Sequence, residues 1–294
     1  METVDNFIFQ IDDPDVKAIY TNAKNFKVKF HEGDKVQKDL CAIYFSSNEL
    51  YYPNTSKAFQ NSILVKDKFE WQRNFFDNAH KHIFIRDVQK QWYIEGISAT
   101  HNSPDKLLKL LKELTQGYKI FTLGSSAGGY AAMLYGGLLK AERVYAFNAQ
   151  LNLNVVVQSS NAITNPLLFK YKDSERAKFF RIDNFITEDE DTNYFYFQSS
   201  KSVIDINQYE AFHKKDKILR IVFKTSNHGF PFLRHNLKHV LSLDKAKLIT
   251  LSKKQYHPVV FAASIDGWPT TIYTVITAIL NRFKKKLKEK RAKF

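Results

Sequence analysis

The chain has one cysteine in 294 residues, so no disulfide can close within it and no cysteine-based zinc site can form. That residue, Cys41, sits in the apolar run CAIYF and is expected in a buried strand. Long hydrophobic runs are missing too: no window reaches the roughly 18 apolar residues that a membrane-spanning helix requires. The opening stretch, METVDNFIFQIDDPD, shows no basic segment leading into an apolar one, which sets the expectation of a cytoplasmic protein. There is no internal repeat and no low-complexity tract. Acidic residues are in deficit, with 30 Asp and Glu against 44 Lys and Arg, for a net charge of +14. Eight basic residues and one acidic residue fall in 282–294 (RFKKKLKEKRAKF), so this short stretch carries half of the excess. Such a segment suits an anionic surface, whether phospholipid headgroups, nucleic acid or an acidic polysaccharide. The plainer alternative is a solvated helix end that aids solubility.

What is present suffices for one large core: 44% of the residues are hydrophobic and 15% aromatic. Short apolar runs at 41–45, 82–85, 119–123, 143–147, 194–197 and 218–223 read as buried strands. Helical patterns lie between several of them. In SPDKLLKLLKELTQG, Ser103 can cap, Pro104 suits the first turn, Asp105 complements the helix dipole and Gly117 ends the helix. Leu107, Leu108, Leu111 and Leu114 then share one face. Alternating strands and helices predict a three-layer α/β/α sandwich with a mostly parallel sheet. Residues 39–260 are assigned to this domain, 1–38 to a β-rich N-terminal extension and 261–294 to an amphipathic basic helix. The stretch 151–192 breaks the rhythm, mixing aromatic and basic residues as in LLFKYKDSERAKFFR, and is expected to form a helical cap.

In FTLGSSAGGYAA the strand-like YKIFTL runs into the helix-like AAMLYGGLLKA, which puts Gly124-Ser125-Ser126-Ala127-Gly128 at a strand-to-helix corner. This is the G-x-S-x-G pattern of a nucleophile elbow, with Ser126 exposed on a strained turn and the Ala127 amide placed to donate to an oxyanion. A dinucleotide loop needs G-x-G-x-x-G and a phosphate loop needs G-K-[ST], and neither occurs here. A glycine turn that serves packing alone is the competing reading.

A serine hydroxyl needs a histidine base and a carboxylate to orient it, in the chain order Ser, Asp or Glu, His. Asp205 follows the strand-like YFYFQ and His228, in TSNHGFPF, follows ILRIVFK, so both belong to the sheet edge where Ser126 emerges. The alternative role for Asp205 is a cap for the helix pattern after it, and Asp189, Asp191 and Asp216 are weaker carboxylate candidates. His235 and His239 have i, i+4 spacing, but RHNLKHV lacks the glutamate of a zinc protease helix and no third ligand is identified, so no metal is expected. The second oxyanion donor is expected from Ser46, Ser47 or Asn48, in the loop after CAIYF.

AIYFSSN, FEWQRNFF, the Trp92-Tyr93 pair, LGSSAGGYAAMLYGGLLKAERVYAFNAQ and SNHGFPF together resemble the α/β-hydrolase-like proteins encoded with bacterial capsule genes. These include capsular polysaccharide O-acetyltransferases; the accessory secretion acetyltransferases are a more distant likeness. The resemblance spans about residues 40–235. It implies a Ser126, His228, Asp205 triad that moves an acetyl group from acetyl-CoA, as co-substrate, to a sugar hydroxyl, with Arg73 falling in a motif of unassigned role. An anionic polysaccharide acceptor is expected, met by the basic cap residues Lys170, Lys172, Lys178 and Arg181, and nucleic acid is not expected. The basic stretch 282–294 is a candidate for peripheral association with the inner membrane or a capsule synthesis complex. Two further readings are a carbohydrate esterase with the same triad and a non-catalytic capsule assembly factor.

Overall fold

The structure is a computed structural model that describes residues 11–186 and 191–291. The strands among these residues are β1 (Phe26–Phe30), β2 (Gln37–Phe45), β3 (Ala79–Ile85), β4 (Lys119–Ser125), β5 (Arg143–Phe147), β6 (Asn193–Ser199), β7 (Ile218–Phe223) and β8 (Gln255–Tyr256). The helices are α1 (Pro14–Asn22), α2 (Ser56–Phe59), α3 (Pro104–Thr115), α4 (Ala127–Leu138), α5 (Leu153–Gln158) and α6 (Pro166–Tyr171) in the first part of the chain. They are followed by α7 (Val203–Glu210), α8 (Leu237–Ser242), α9 (Lys245–Ser252), α10 (Pro258–Asp266) and α11 (Trp268–Arg291). The sheet order is β1-β3-β2-β4-β5-β6-β7-β8, and only β1 runs antiparallel to its neighbour.

Strand alternation builds two cores, one on each face of the sheet. In β6, Tyr194 and Tyr196 join α3 and α4 residues such as Leu107, Leu111 and Tyr130. Their neighbours Phe195 and Phe197 join Leu237, Leu241, Leu248 and Phe261, from α8, α9 and α10, on the other face. With helices on both faces of a mostly parallel sheet, the architecture is the three-layer α/β/α sandwich that the sequence predicts. Cys41 is fully buried in β2, where burial pushes its thiol up to about 12.

Three boundaries need correction. The segment 1–38 is not a separate β-rich extension. Within its described part, α1 is capped by Asp13 and β1 pairs with β3, Val28 opposite Ile83, so the strand is the edge of the main sheet. Residues 1–10 lie outside the described residues.

The described part of 151–192 is less a cap over the sheet edge than part of one layer. Leu168, Phe179, Phe180 and Ile182 are buried in the same core as α4, and the Tyr130 hydroxyl donates to the Phe179 carbonyl at 2.7 Å. The C-terminal boundary moves because Phe261 and Ala262 are fully buried, which makes α10 part of the core. Gly267, at φ 80°, then turns the chain into α11. Among the described residues no helix is long and apolar enough to cross a membrane.

Candidate active site

From β2 the chain passes to β3 on one side, then crosses back to β4 on the other, so the order of the sheet reverses at β2 and β4. Such a reversal leaves a crevice beyond the carboxyl ends of the strands. Ser126 stands there, between β4 and α4, at φ 52° and ψ −122°. This left-handed conformation is costly for a residue with a Cβ, and the surroundings enforce it. A Cβ on Gly124 would lie 2.0 Å from the Gly128 carbonyl oxygen, and one on Gly128 would lie 2.2 Å from the Phe45 carbonyl oxygen. The corner therefore closes only with glycine at both places. Ala127 opens α4, so its amide has no acceptor within the helix.

His228 follows β7 and Asp205 lies in the first turn of α7, after β6. His228 Nε2 is 2.8 Å from Ser126 Oγ, and His228 Nδ1 is 2.8 Å from Asp205 Oδ1. Asp205 is fully buried, while 38% of the His228 side chain is exposed. The helix-cap reading of Asp205 does not hold: Ser202 caps α7, and the Asp205 carboxylate turns to the imidazole. Asp189 lies outside the described residues. Asp191 and Asp216 are exposed and take no part in the site.

His228 is held by residues that no motif announces. Asn148, fully buried just beyond β5, points its Nδ2 at the carbonyls of Asn227 (3.0 Å) and Gly229 (3.1 Å), on either side of His228. Its Oδ1 accepts from the Ser199 amide at 2.8 Å, and the Ser199 hydroxyl donates to the Asn227 carbonyl at 2.6 Å. Gln150 lies 3.4 Å from Ser126 Oγ and is oriented by the Trp92 indole N–H at 3.2 Å. Trp92 in turn belongs to a loop organised by Asp87, whose carboxylate accepts from the amides of Gln89, Lys90, Gln91 and Tyr93. Burial pushes Asp87 up to about 6 in spite of those four donors.

A cavity of about 860 Å³ opens over the serine. Much of its wall is neutral and polar, with Asn48, Asn54, Asn74, Asn165 and Asn227, and Tyr52, 72% exposed, stands among the lining residues. Lys90 also lines it, donating to the Tyr51 carbonyl and to Asn54 Oδ1, and burial lowers its ammonium to about 8. Glu70 accepts from the Ser47 amide at 2.5 Å and the Ser47 hydroxyl at 2.9 Å, with its carboxyl raised by burial.

No family model matches the chain, and no curated protein matches it. Solved structures do match, at low identity. A variant of the capsule O-acetyltransferase of Neisseria meningitidis serogroup A, in complex with CoA, is 14% identical over 66% of this chain and 78% of its own, with a TM-score of 0.46. Fluorophosphonate-binding serine hydrolase F of Staphylococcus aureus is 11% identical over 76% and 91%, at 0.45. A lipase/esterase of Lactobacillus plantarum is 11% identical over 66% and 83%, at 0.40. The α/β-hydrolase-like character of the fold rests on this chain's own strand order, elbow and Ser, Asp, His succession.

Several expected site residues fall elsewhere. The Ser46 amide donates to the Ile85 carbonyl at 3.0 Å, because β2 stays paired with β3 one residue past its end, so it is not an oxyanion donor. The Ser47 amide faces Glu70, and Asn48 lines the cavity. Arg73 is exposed and outside the lining, although its neighbours Trp71 and Asn74 belong to it. Lys170 pairs with Glu95, Lys172 with Asp173 and Arg181 with Asp183, while Lys178 lies over the Phe179 ring. None of these cap cations reaches the cavity, because the segment packs beside α4; among its described residues only Thr164 and Asn165 do. His235 and His239 flank Asp266, and among the described residues no group of three or more ligands is arranged to hold a metal ion.

Proposed function

We propose that the protein is an acyl-transferring enzyme, an O-acetyltransferase that moves an acetyl group from acetyl-CoA to a hydroxyl of a surface polysaccharide. The observation that carries this reading is the hydrogen-bonded line from Asp205 through His228 to Ser126, ending in a roomy cavity whose mixed wall includes five asparagines. Amide side chains offer donors and acceptors together, which suits hydroxyl groups, and an exposed tyrosine offers an apolar face to a sugar ring.

In the first half-reaction His228 Nε2 takes the Ser126 proton as Oγ attacks the thioester carbon. Asp205 fixes the imidazole tautomer and stabilises its cationic form. The Ala127 amide, with a second donor from the 47–48 loop, holds the oxyanion. The C–S bond then breaks, the imidazolium returns the proton to the departing thiolate, and an acetyl ester remains on Ser126. In the second half His228 removes the proton of the acceptor hydroxyl, whose oxygen attacks the acetyl carbon. The product ester leaves and Ser126 recovers its proton. Arg234, an exposed cation among the cavity-lining residues, is suited to a phosphate of the donor.

The exposure of His228 favours one alternative, a carbohydrate esterase in which water takes the place of the acceptor. Mass spectrometry after exposure to acetyl-CoA separates the cases. Transfer predicts one acetyl group on the Ser126 peptide that is chased onto oligosaccharide, and none in Ser126→Ala. Hydrolysis without acceptor dependence supports the esterase, and equal labelling of wild type and Ser126→Ala overturns the serine mechanism.

A further inference from the structure

The final helix is inside out for a protein surrounded by water. A surface helix normally buries its apolar stripe and exposes its polar side. In α11 the reverse holds: Thr271 is fully buried, and Thr274, Val275 and Thr277 are half-buried. Trp268, Ile272, Ile276, Ile279 and Phe283 are exposed by 55%, 52%, 51%, 48% and 61%. Their spacing of four, four, three and four residues sets them along one stripe, and Tyr273 and Leu280, also exposed, widen it. The chain then enters the segment of eight basic residues and one acidic residue, 282–294.

We propose that α11 lies in the plane of a bilayer containing anionic phospholipid, with its isoleucine stripe in the headgroup–acyl boundary and the following basic segment on the lipid phosphates. An apolar face continued by a basic segment is the composition of an in-plane membrane helix, and the helix is too short of apolar residues to span. Charge selects this occupant over a second copy of the chain. A second copy brings the same positive excess, whereas an anionic bilayer supplies the opposite sign and an apolar interior together.

The test uses the full-length protein with vesicles of equal parts phosphatidylglycerol and phosphatidylethanolamine, and with vesicles of phosphatidylcholine alone. Binding to the first and much weaker binding to the second are expected. Trp71 and Trp92 are buried at 4% and 6% exposure, so a blue shift of tryptophan emission on binding reports Trp268 and disappears in Trp268→Phe. The triple variant Ile272→Ser, Ile276→Ser, Ile279→Ser, at half-exposed positions outside the buried core clusters, is expected to bind about tenfold more weakly or worse. Replacing Lys284, Lys285 and Lys286 with Gln should weaken binding roughly a hundredfold. An unmoved Trp268 spectrum overturns the proposal, as does equal binding to phosphatidylcholine. Loss of binding in the glutamine variant alone means simple charge adsorption and also overturns it. If the serine variant turns a dimer in solution into a monomer while vesicle binding persists, the stripe is a subunit interface and the proposal fails.

Discussion

Asn148 shows how much of the site rests on a residue without titratable chemistry. Its side chain ties the carbonyls on both sides of His228 to the end of β5, so the imidazole inherits the rigidity of the sheet. Asn148→Ala takes this donor from the Gly229 carbonyl and leaves the Asn227 carbonyl held by the Ser199 hydroxyl alone, while the cavity walls stay in place. We expect kcat to fall about ten- to a hundredfold with KM for the acceptor unchanged, and fluorophosphonate labelling of Ser126 to slow by a similar factor. A rise in KM with kcat unchanged would instead assign Asn148 to substrate binding. Ser126, His228 and Asp205 were legible in the sequence because a glycine-flanked serine and a post-strand His-Gly have a motif and an order. Asn148, Gln150, Glu70 and Lys90 had neither, and the only signal was the position of Asn148 and Gln150 just past a strand end, in YAFNAQ.

At the scale of elements, the elbow is a meeting of β2, β4 and α4 at backbone contact distance. Gly128→Ala would drive a methyl group into the Phe45 carbonyl, and neither strand nor helix can yield without breaking sheet or helix bonds. Urea denaturation should show a loss of about 3 kcal/mol or more, with Ser126 labelling reduced further than stability alone requires. An unperturbed midpoint would mean that the helix start slides freely. The six apolar runs are readable as strands because five of them are almost wholly buried on both faces, while β7 is half-buried at Leu219, Arg220 and Val222. β1 was not, since FKVKF alternates apolar and lysine residues at a half-solvated edge, and β8 is too short, at two residues, to carry a pattern. The aromatic and basic mixture of 151–192 is ambiguous in sequence for a physical reason: Phe179 and Phe180 are buried beside α4 rather than over the cavity, and Lys170, Lys172 and Arg181 are paired with neighbouring carboxylates.

Over the whole molecule, two buried groups give stability opposite slopes in acid. His82 is stacked with Tyr44 and Phe84, and burial, aided by His31, lowers it from 6.5 to about 4. The folded state binds its proton more weakly than the unfolded chain, so this contribution is lost as pH falls from about 6.5 to 4. Asp87 is raised from 3.8 to about 6, so the folded state binds its proton more tightly and gains as pH falls through that window. In urea titrations the stability of wild type relative to His82→Phe should therefore decrease from pH 6.5 to 4, and relative to Asp87→Asn it should increase from pH 6 to 4. Parallel slopes would contradict the assigned directions.

The Glu70 carboxyl takes both the amide and the hydroxyl of Ser47, which ties the loop after β2 to the segment that carries Trp71. This amide therefore already has an acceptor inside the protein. Under the proposed mechanism an oxyanion would gain the amide only by exchange, and the exchange is least unfavourable for the species with the most charge on oxygen. Discrimination between a ground-state carbonyl and a tetrahedral intermediate would then come from displacement rather than from an open hole.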